Sequence, residues 1–152
     1  MPDTAPAPVT HNDATRHGPG RVLIAVYALL AVASTARAAY EVAVKFGTAP
    51  LAYALSAFAA VVYVVITVAL LRSTPAARRI AAIGMVVELV GVLVVGTLSV
   101  VYPTVFQAKS SVWYWYGRDY LFIPVVLPIL GLRFLYRSRP AIAPEPVHPP
   151  AA

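Results

Sequence analysis

The chain has 152 residues, of which 60% are hydrophobic and only 12% charged, and its mean hydropathy is +0.75. Because soluble domains carry roughly 25% charged residues, too few polar side chains are present to cover a water-facing surface, and the composition predicts a lipid environment. The formal charge of +6 does not indicate nucleic-acid binding, since the basic residues flank apolar runs, and the lack of cysteine excludes disulfides, thiolate metal sites and thiol nucleophiles.

Both ends of the chain are predicted to be disordered tails. Residues 1–20 combine proline, glycine and scattered polar residues, and residues 138–152 contain five prolines. Such segments bury too little apolar surface to fold by themselves, and proline-rich chains favour extended conformations. A proline-rich recognition peptide is the alternative to a solvated second tail.

The first apolar segment, about residues 22–46, is predicted to be a membrane-spanning helix. Its uncharged start would measure roughly 22 Å as a helix, short of the roughly 30 Å hydrocarbon core, so the helix must continue past Arg37 and Glu41. Arg37, Glu41 and Lys45 are four residues apart, which places them on one stripe where two opposite-charge pairs can form. We expect this stripe at the outer surface. A cleaved secretory signal is the alternative, and the long, proline-rich region before the segment disfavours it.

The second apolar segment, residues 51–71, is uncharged and long enough for a full crossing. Its small residues Ala52, Ser56 and Ala60 recur every four positions. Because lipid supplies no hydrophobic drive for helix association, such a ridge favours close packing with another helix. This segment is therefore predicted to be a span with a helix-packing face.

The third apolar segment, residues 80–101, contains one ionisable residue, Glu88. At 100° per residue, Gly84 and Gly91 fall on the same face as Glu88. Glycines on a membrane helix let a neighbouring backbone approach closely. We therefore expect this face to pack against protein.

An aromatic run, Trp113, Tyr114, Trp115 and Tyr116, follows in the polar stretch 102–120. Amphipathic aromatic rings prefer the headgroup region of a membrane. The run is predicted to be an interfacial anchor in an outer loop. The alternative is that these rings form the floor of a ligand site.

The fourth apolar segment, residues 120–136, is short, contains Pro124 and Pro128, and carries Arg133 near its end. Membrane helices tolerate proline where neighbours satisfy the freed carbonyl groups. We therefore predict a kinked helix that still crosses the membrane.

Counts of basic residues predict the orientation of these four spans. Eight arginines fall on the side of the termini and four basic residues on the other side. The positive-inside rule then places both termini in the cytoplasm. Without a fourth crossing the counts would be five and seven, which contradicts the rule and supports the crossing.

Three runs carry a resemblance to a known group: ARAAYEVAVKFGTAPLAYALSA, VELVGVLVVGTLS and SVWYWYGRDYLFIPVVLPILGL. They resemble small four-span actinobacterial integral membrane proteins of unassigned function, over about residues 22–135. The resemblance implies four spans and a plasma-membrane address, and it implies no reaction. Arg133 falls where such relatives would carry an apolar or aromatic residue.

Glu88 is an ionisable residue near the centre of a predicted membrane-spanning helix. A charge at the centre of a membrane helix costs roughly 2.5–3.5 kcal/mol on insertion scales, so it needs a partner, a proton or a water-filled cavity. Arg133 is the first candidate partner, because side chains tilt toward the N-terminus of their own helix and these two would point toward each other. Arg37 is the second candidate. A transport or proton-relay role is the alternative.

The sequence thus predicts an all-α, polytopic integral membrane protein of a bacterial plasma membrane, with a four-helix domain over residues 21–137. All three histidines lie in the tails and no base is placed to activate a hydroxyl, so we expect no enzymatic activity, cofactor or metal. Besides the lipid bilayer, the expected partner is another membrane protein or further copies of the chain. The predicted role is an accessory, helix-packing one. A small proton-coupled transporter or exporter centred on Glu88 is the alternative.

Overall fold

A computed structural model describes residues 18–72, 74–106 and 111–138 of the chain. Most of both predicted tails, and Lys109 of the predicted outer loop, lie outside these residues. Within the described ranges every regular element is helical, with four α-helices and two 3₁₀ segments. The prediction of an all-helical chain is confirmed there, and three of the helices are long and apolar enough to cross a membrane.

The first two helices form an antiparallel hairpin. Helix α1 (Pro19–Lys45) is joined to α2 (Pro50–Arg72) by a 3₁₀ turn over Phe46–Thr48. Helix α1 begins three residues earlier than predicted, because Gly18 adopts a left-handed φ of 68° and proline fits the first helical turn, where its missing N–H is not needed. Residues 18–20 therefore belong to the folded part of the chain and not to the predicted tail.

Helix α3 (Pro75–Val101) also begins earlier than predicted, at residue 75 instead of 80. Thr74 caps it, because its side-chain oxygen accepts a hydrogen bond from the Ala77 N–H at 3.1 Å. Arg78 and Arg79, which precede the predicted third segment, therefore lie within the first five residues of α3.

The fourth apolar segment is broken. A 3₁₀ segment over Tyr114–Tyr120 meets α4 (Ile123–Arg137) at an angle of 92°. The predicted proline kink is wrong in position, because the break falls at Leu121 and Phe122, which have left-handed φ values of 54° and 59°, while both prolines lie inside α4. At 15 residues, α4 measures about 22 Å, less than a full crossing.

The four helices alternate in direction, so α1 and α3 begin at the end of the bundle where α2 and α4 finish. We call this the basic end, and the opposite end the far end. Leu23 of α1 and Met85 of α3 both lie against Gly131 of α4, which joins the first and last helices near the basic end. Apolar side chains also cover the outward faces of the helices, the surface that lipid would contact.

Candidate functional site

Glu88 lies at the midpoint of α3 and is fully buried. Its Oε2 accepts a hydrogen bond from the Tyr27 hydroxyl of α1 at 2.9 Å. A helical side chain tilts toward the N-terminus of its own helix, so the Glu88 carboxyl points toward the basic end, the half of the bundle that holds Tyr27. Within the described ranges, its Oε1 is buried without a hydrogen-bond partner.

Tyr63 of α2 links this carboxyl to the aromatic run. The Tyr63 ring centroid lies 6.4 Å from that of Tyr27. The Tyr63 hydroxyl accepts a hydrogen bond from Trp113 Nε1 at 3.2 Å and also faces the Glu88 carboxyl. We call these four residues the Glu88 cluster. They come from α1, α2, α3 and the segment before α4, and each is at most 1% exposed.

The predicted ion pair of Glu88 with Arg133 is not formed, and across the described residues Glu88 makes no ion pair. Arg133 is exposed, whereas its neighbours two positions away, Gly131 and Leu135, are buried. Two positions rotate the side chain by about 200°, so Arg133 lies on the outer face of α4. Arg37, the second candidate partner, instead donates from Nε to Glu41 at 2.9 Å.

Gly84 and Gly91 make room for side chains of other elements and not for a neighbouring backbone, which corrects the expectation from the sequence. A Cβ atom at Gly84 would lie 2.6 Å from Cγ1 of Ile66, and one at Gly91 would lie 2.5 Å from Cζ3 of Trp113. Gly91 therefore provides the space that the Trp113 indole occupies. The face of α3 that holds Glu88 packs against protein.

The four consecutive aromatic residues do not share an interfacial position. Trp113 is buried in the bundle, so its ring does not lie on the surface as an anchoring ring would. Tyr114 and Tyr116 are half-buried. Trp115 is 38% exposed, and the Arg118 guanidinium lies over its ring at 5.4 Å.

Part of this aromatic run has a left-handed backbone. Trp115, Tyr116 and Gly117 have φ values of 46°, 58° and 78°. Left-handed conformations cost non-glycine residues roughly 1–2 kcal/mol each and persist where the surroundings enforce them. Helix α3 supplies those surroundings, because the Tyr116 ring packs on Gly96 and the Trp115 N–H donates to Ser99 Oγ at 3.0 Å.

At the far end, the charged stripe of α1 forms one of its two predicted ion pairs. Arg37 pairs with Glu41, whereas Lys45 lies with its Nζ 5.3 Å from the centroid of the Tyr40 ring. The second pair is absent from the described residues because Glu41 is buried while Lys45, at the last position of α1, is exposed. Arg37 Nη1 also donates to the Tyr120 hydroxyl at 3.4 Å, which brings the stripe to the end of the polar stretch 102–120.

The small-residue ridge of α2 is used inside the chain, since Ala52, Ser56 and Ala60 are all buried. An apolar groove of about 390 Å³, which Ala60 also lines, runs between α1 and α2 on the outward side. Small side chains form much of its lining: Thr35, Ala38 and Ala39 from α1, and Ala57 and Ala60 from α2. A further cavity of about 520 Å³ lies at the far end, between the α1–α2 turn and Val105.

Sequence reasoning missed Tyr27 and Tyr63, although a signal was present. A tyrosine hydroxyl inside an apolar span needs a hydrogen-bond partner. Tyr63 lies nine residues before Arg72 and Glu88 nine residues after Arg79, so both lie at one depth from the basic flanks of adjacent spans. The equal depths of Tyr63 and Glu88 would have indicated a tyrosine as a hydrogen-bond partner of Glu88.

Comparisons with protein-family models, with curated proteins and with solved structures find no match to this chain.

Proposed function

We propose that the chain is a non-enzymatic, polytopic integral membrane protein that serves as an accessory, helix-packing partner of another membrane protein. The apolar groove between α1 and α2 carries this proposal. Helices associate in lipid chiefly through close packing, and small residues let two backbones approach. A groove lined by alanines such as Ala39 and Ala57, open on the outward face, suits a transmembrane helix of a partner.

The proposal places four crossings in a bacterial plasma membrane, with the basic end in the cytoplasm. It agrees with the resemblance to small actinobacterial membrane proteins. Three long apolar helices support it, together with a broken fourth segment in which a 3₁₀ segment meets α4. The excess of arginine at one end supports the orientation. The described arginines there are Arg21, Arg72, Arg78, Arg79, Arg133 and Arg137.

Single-cysteine labelling tests the topology on this cysteine-free chain. A membrane-impermeant maleimide added to intact cells should label a cysteine at exposed Gly47 in the far-end turn. It should leave cysteines at positions 5 and 148 unlabelled until the cells are opened. Labelling of position 5 or 148 from outside would show that the orientation is wrong.

Photo-crosslinking in native membranes tests the partner helix. A crosslinker at position 61 or 39 in the groove should capture one constant membrane protein, and a crosslinker at exposed Val94 on α3 should not. Ala39→Phe should fill the groove and abolish capture without lowering the melting temperature of the isolated chain. Equal capture from position 94, or capture that survives Ala39→Phe, would contradict the proposal. Capture of copies of the same chain would replace the partner with a homo-oligomer.

A proton-coupled transporter or exporter centred on Glu88 is the second candidate. The buried, unpartnered Oε1 of Glu88 favours it, together with a broken helical segment beside the cluster, an arrangement used by transporters. It predicts solute uptake into proteoliposomes that depends on a proton gradient and is lost in Glu88→Gln while the melting temperature is retained. The accessory role predicts no such uptake for either form.

A further inference from the structure

The basic end of the bundle carries positive charge without a described counter-charge. The described acidic residues are Glu41 and Asp119, which lie in elements of the far end, and Glu88 at mid-depth. Arg78 is occupied, because its Nη2 donates to the backbone oxygens of Leu135 at 2.9 Å and Ser138 at 3.1 Å. The other described arginines at this end are exposed.

Two of these arginines are placed together on α4. Arg133 and Arg137 are four residues apart and both exposed, so they lie on one stripe about 6 Å apart along the helix axis. Like charges at this spacing repel and lower helix stability. A phosphate between two guanidinium groups would remove that repulsion and accept paired hydrogen bonds from each.

The same stripe continues toward the membrane interior as apolar surface. Val126, Ile129 and Leu130 are each at least 50% exposed. At 100° per residue they fall within about 60° of the direction of Arg133 and Arg137. An apolar track that leads to a pair of guanidiniums matches the two parts of a phospholipid, its acyl chain and its phosphate headgroup.

We propose that this outer stripe of α4 binds an anionic phospholipid, with an acyl chain along Val126, Ile129 and Leu130 and the phosphate at Arg133 and Arg137. Complementary charge and the continuous apolar track argue for a lipid over a soluble anion. Clusters of basic residues at the cytoplasmic ends of membrane helices bind anionic headgroups in the same way. The inference rests on the membrane insertion proposed above and is independent of the partner helix.

Lipid titration of the full chain, monitored by native mass spectrometry in detergent, tests the inference with phosphatidylglycerol as probe and phosphatidylcholine as comparator. Each basic residue near an anionic surface contributes about fivefold in affinity, so Arg133→Gln/Arg137→Gln should weaken phosphatidylglycerol binding about thirtyfold. Arg133→Lys/Arg137→Lys keeps the charge but loses the paired hydrogen bonds, so it should weaken binding less than the double glutamine variant does. The matched control Lys45→Gln/Arg118→Gln removes the same charge at the far end and should change binding less than twofold.

Several outcomes would overturn the inference. The stripe is not the site if the double glutamine variant binds like the parent, or if the far-end control loses as much. The lipid assignment fails if phosphatidylcholine binds equally well, or if millimolar inorganic phosphate displaces phosphatidylglycerol. If the chain does not insert into vesicles, both this inference and the proposed membrane function fail, whereas insertion without phosphatidylglycerol preference removes this inference alone.

Discussion

The hydrogen bond between Tyr27 and Glu88 predicts a specific pattern of stability changes. Glu88→Leu removes the acceptor and leaves the buried Tyr27 hydroxyl without its partner. Tyr27→Phe leaves Oε2 of Glu88 unpartnered in turn. The double variant contains neither of these stranded groups, so its loss should be smaller than the sum of the two single losses. Glu88→Gln should cost less than Glu88→Leu, because an amide oxygen can still accept from Tyr27.

The burial of both groups sets the size of the effect. Tyr27 and Glu88 are each 0% exposed, so water cannot replace a lost partner. A stranded buried polar group costs about 1–3 kcal/mol, which is the loss we expect in the free energy of unfolding of each single variant. Interhelical hydrogen bonds in membranes have coupling energies averaging about 0.6 kcal/mol, with a maximum of about 1.7 kcal/mol. The Tyr27–Glu88 coupling should fall in that range.

Equilibrium unfolding of the detergent-solubilised full chain by sodium dodecyl sulfate measures these free energies. A control cycle pairs Glu88→Leu with Arg133→Leu, which the structure places on the outer face of α4, and should be additive within about 0.5 kcal/mol. Additivity of Tyr27→Phe and Glu88→Leu would show that their hydrogen bond carries no energy. Stronger coupling of Glu88 to Arg133 than to Tyr27 would refute the structural assignment in favour of the ion pair.

Three further predictions concern how the fourth segment is held. Gly91→Ala should lower the free energy of unfolding by about 1–3 kcal/mol by displacing Trp113, and the indole fluorescence should shift to longer wavelength; unchanged emission would contradict the packing. Arg78→Gln should cost about 1–3 kcal/mol, because two backbone oxygens at the end of α4 lose a charged donor. Arg79→Gln, at an exposed position, should change stability by less than about 0.5 kcal/mol. Equal effects would show that the Arg78 hydrogen bonds do not stabilise the end of α4. Gly117→Ala, at φ 78°, should cost at least about 1 kcal/mol by thermal melting, and a parent-like melt would show that the left-handed turn is not needed.

The sequence was sufficient to predict the long helices and the burial of Glu88. Uncharged runs such as residues 51–71 exceed the length of a crossing, and the glycines beside Glu88 marked a packed face. The predicted pairing of Arg133 with Glu88 was wrong because it considered how far along the helix axis each side chain reaches, and not the direction in which Arg133 points around that axis. The buried face of α4, with Leu127, Gly131 and Leu135, could have shown that Arg133 points outward.

The burial of Trp113 could not be derived from local sequence. An aromatic run beside polar residues is typical of an interfacial belt. Trp113 and Trp115 are the same residue type in the same run, and they differ in the side chains of other helices that they contact. Trp113 enters the bundle because Gly91 leaves a space and Tyr63 offers an acceptor, and both belong to other helices. Such complementarity arises between distant segments, and no periodicity within the run encodes it.

A count of donors and acceptors explains why a carboxyl suits the centre of this bundle. Trp113 Nε1 is a donor only, and each tyrosine hydroxyl brings one proton and can accept another. Tyr63 accepts from the indole, and Tyr27 donates its proton to Oε2 of Glu88, so the carboxyl supplies an acceptor at the centre of the bundle. An aliphatic residue at 88 would leave the Tyr27 proton buried without an acceptor. Because Trp113 lies at the start of the broken fourth segment, its hydrogen bond to Tyr63 and its packing at Gly91 hold that segment against α2 and α3. A buried glutamate can therefore serve an architectural role without any transport, in agreement with an accessory membrane protein.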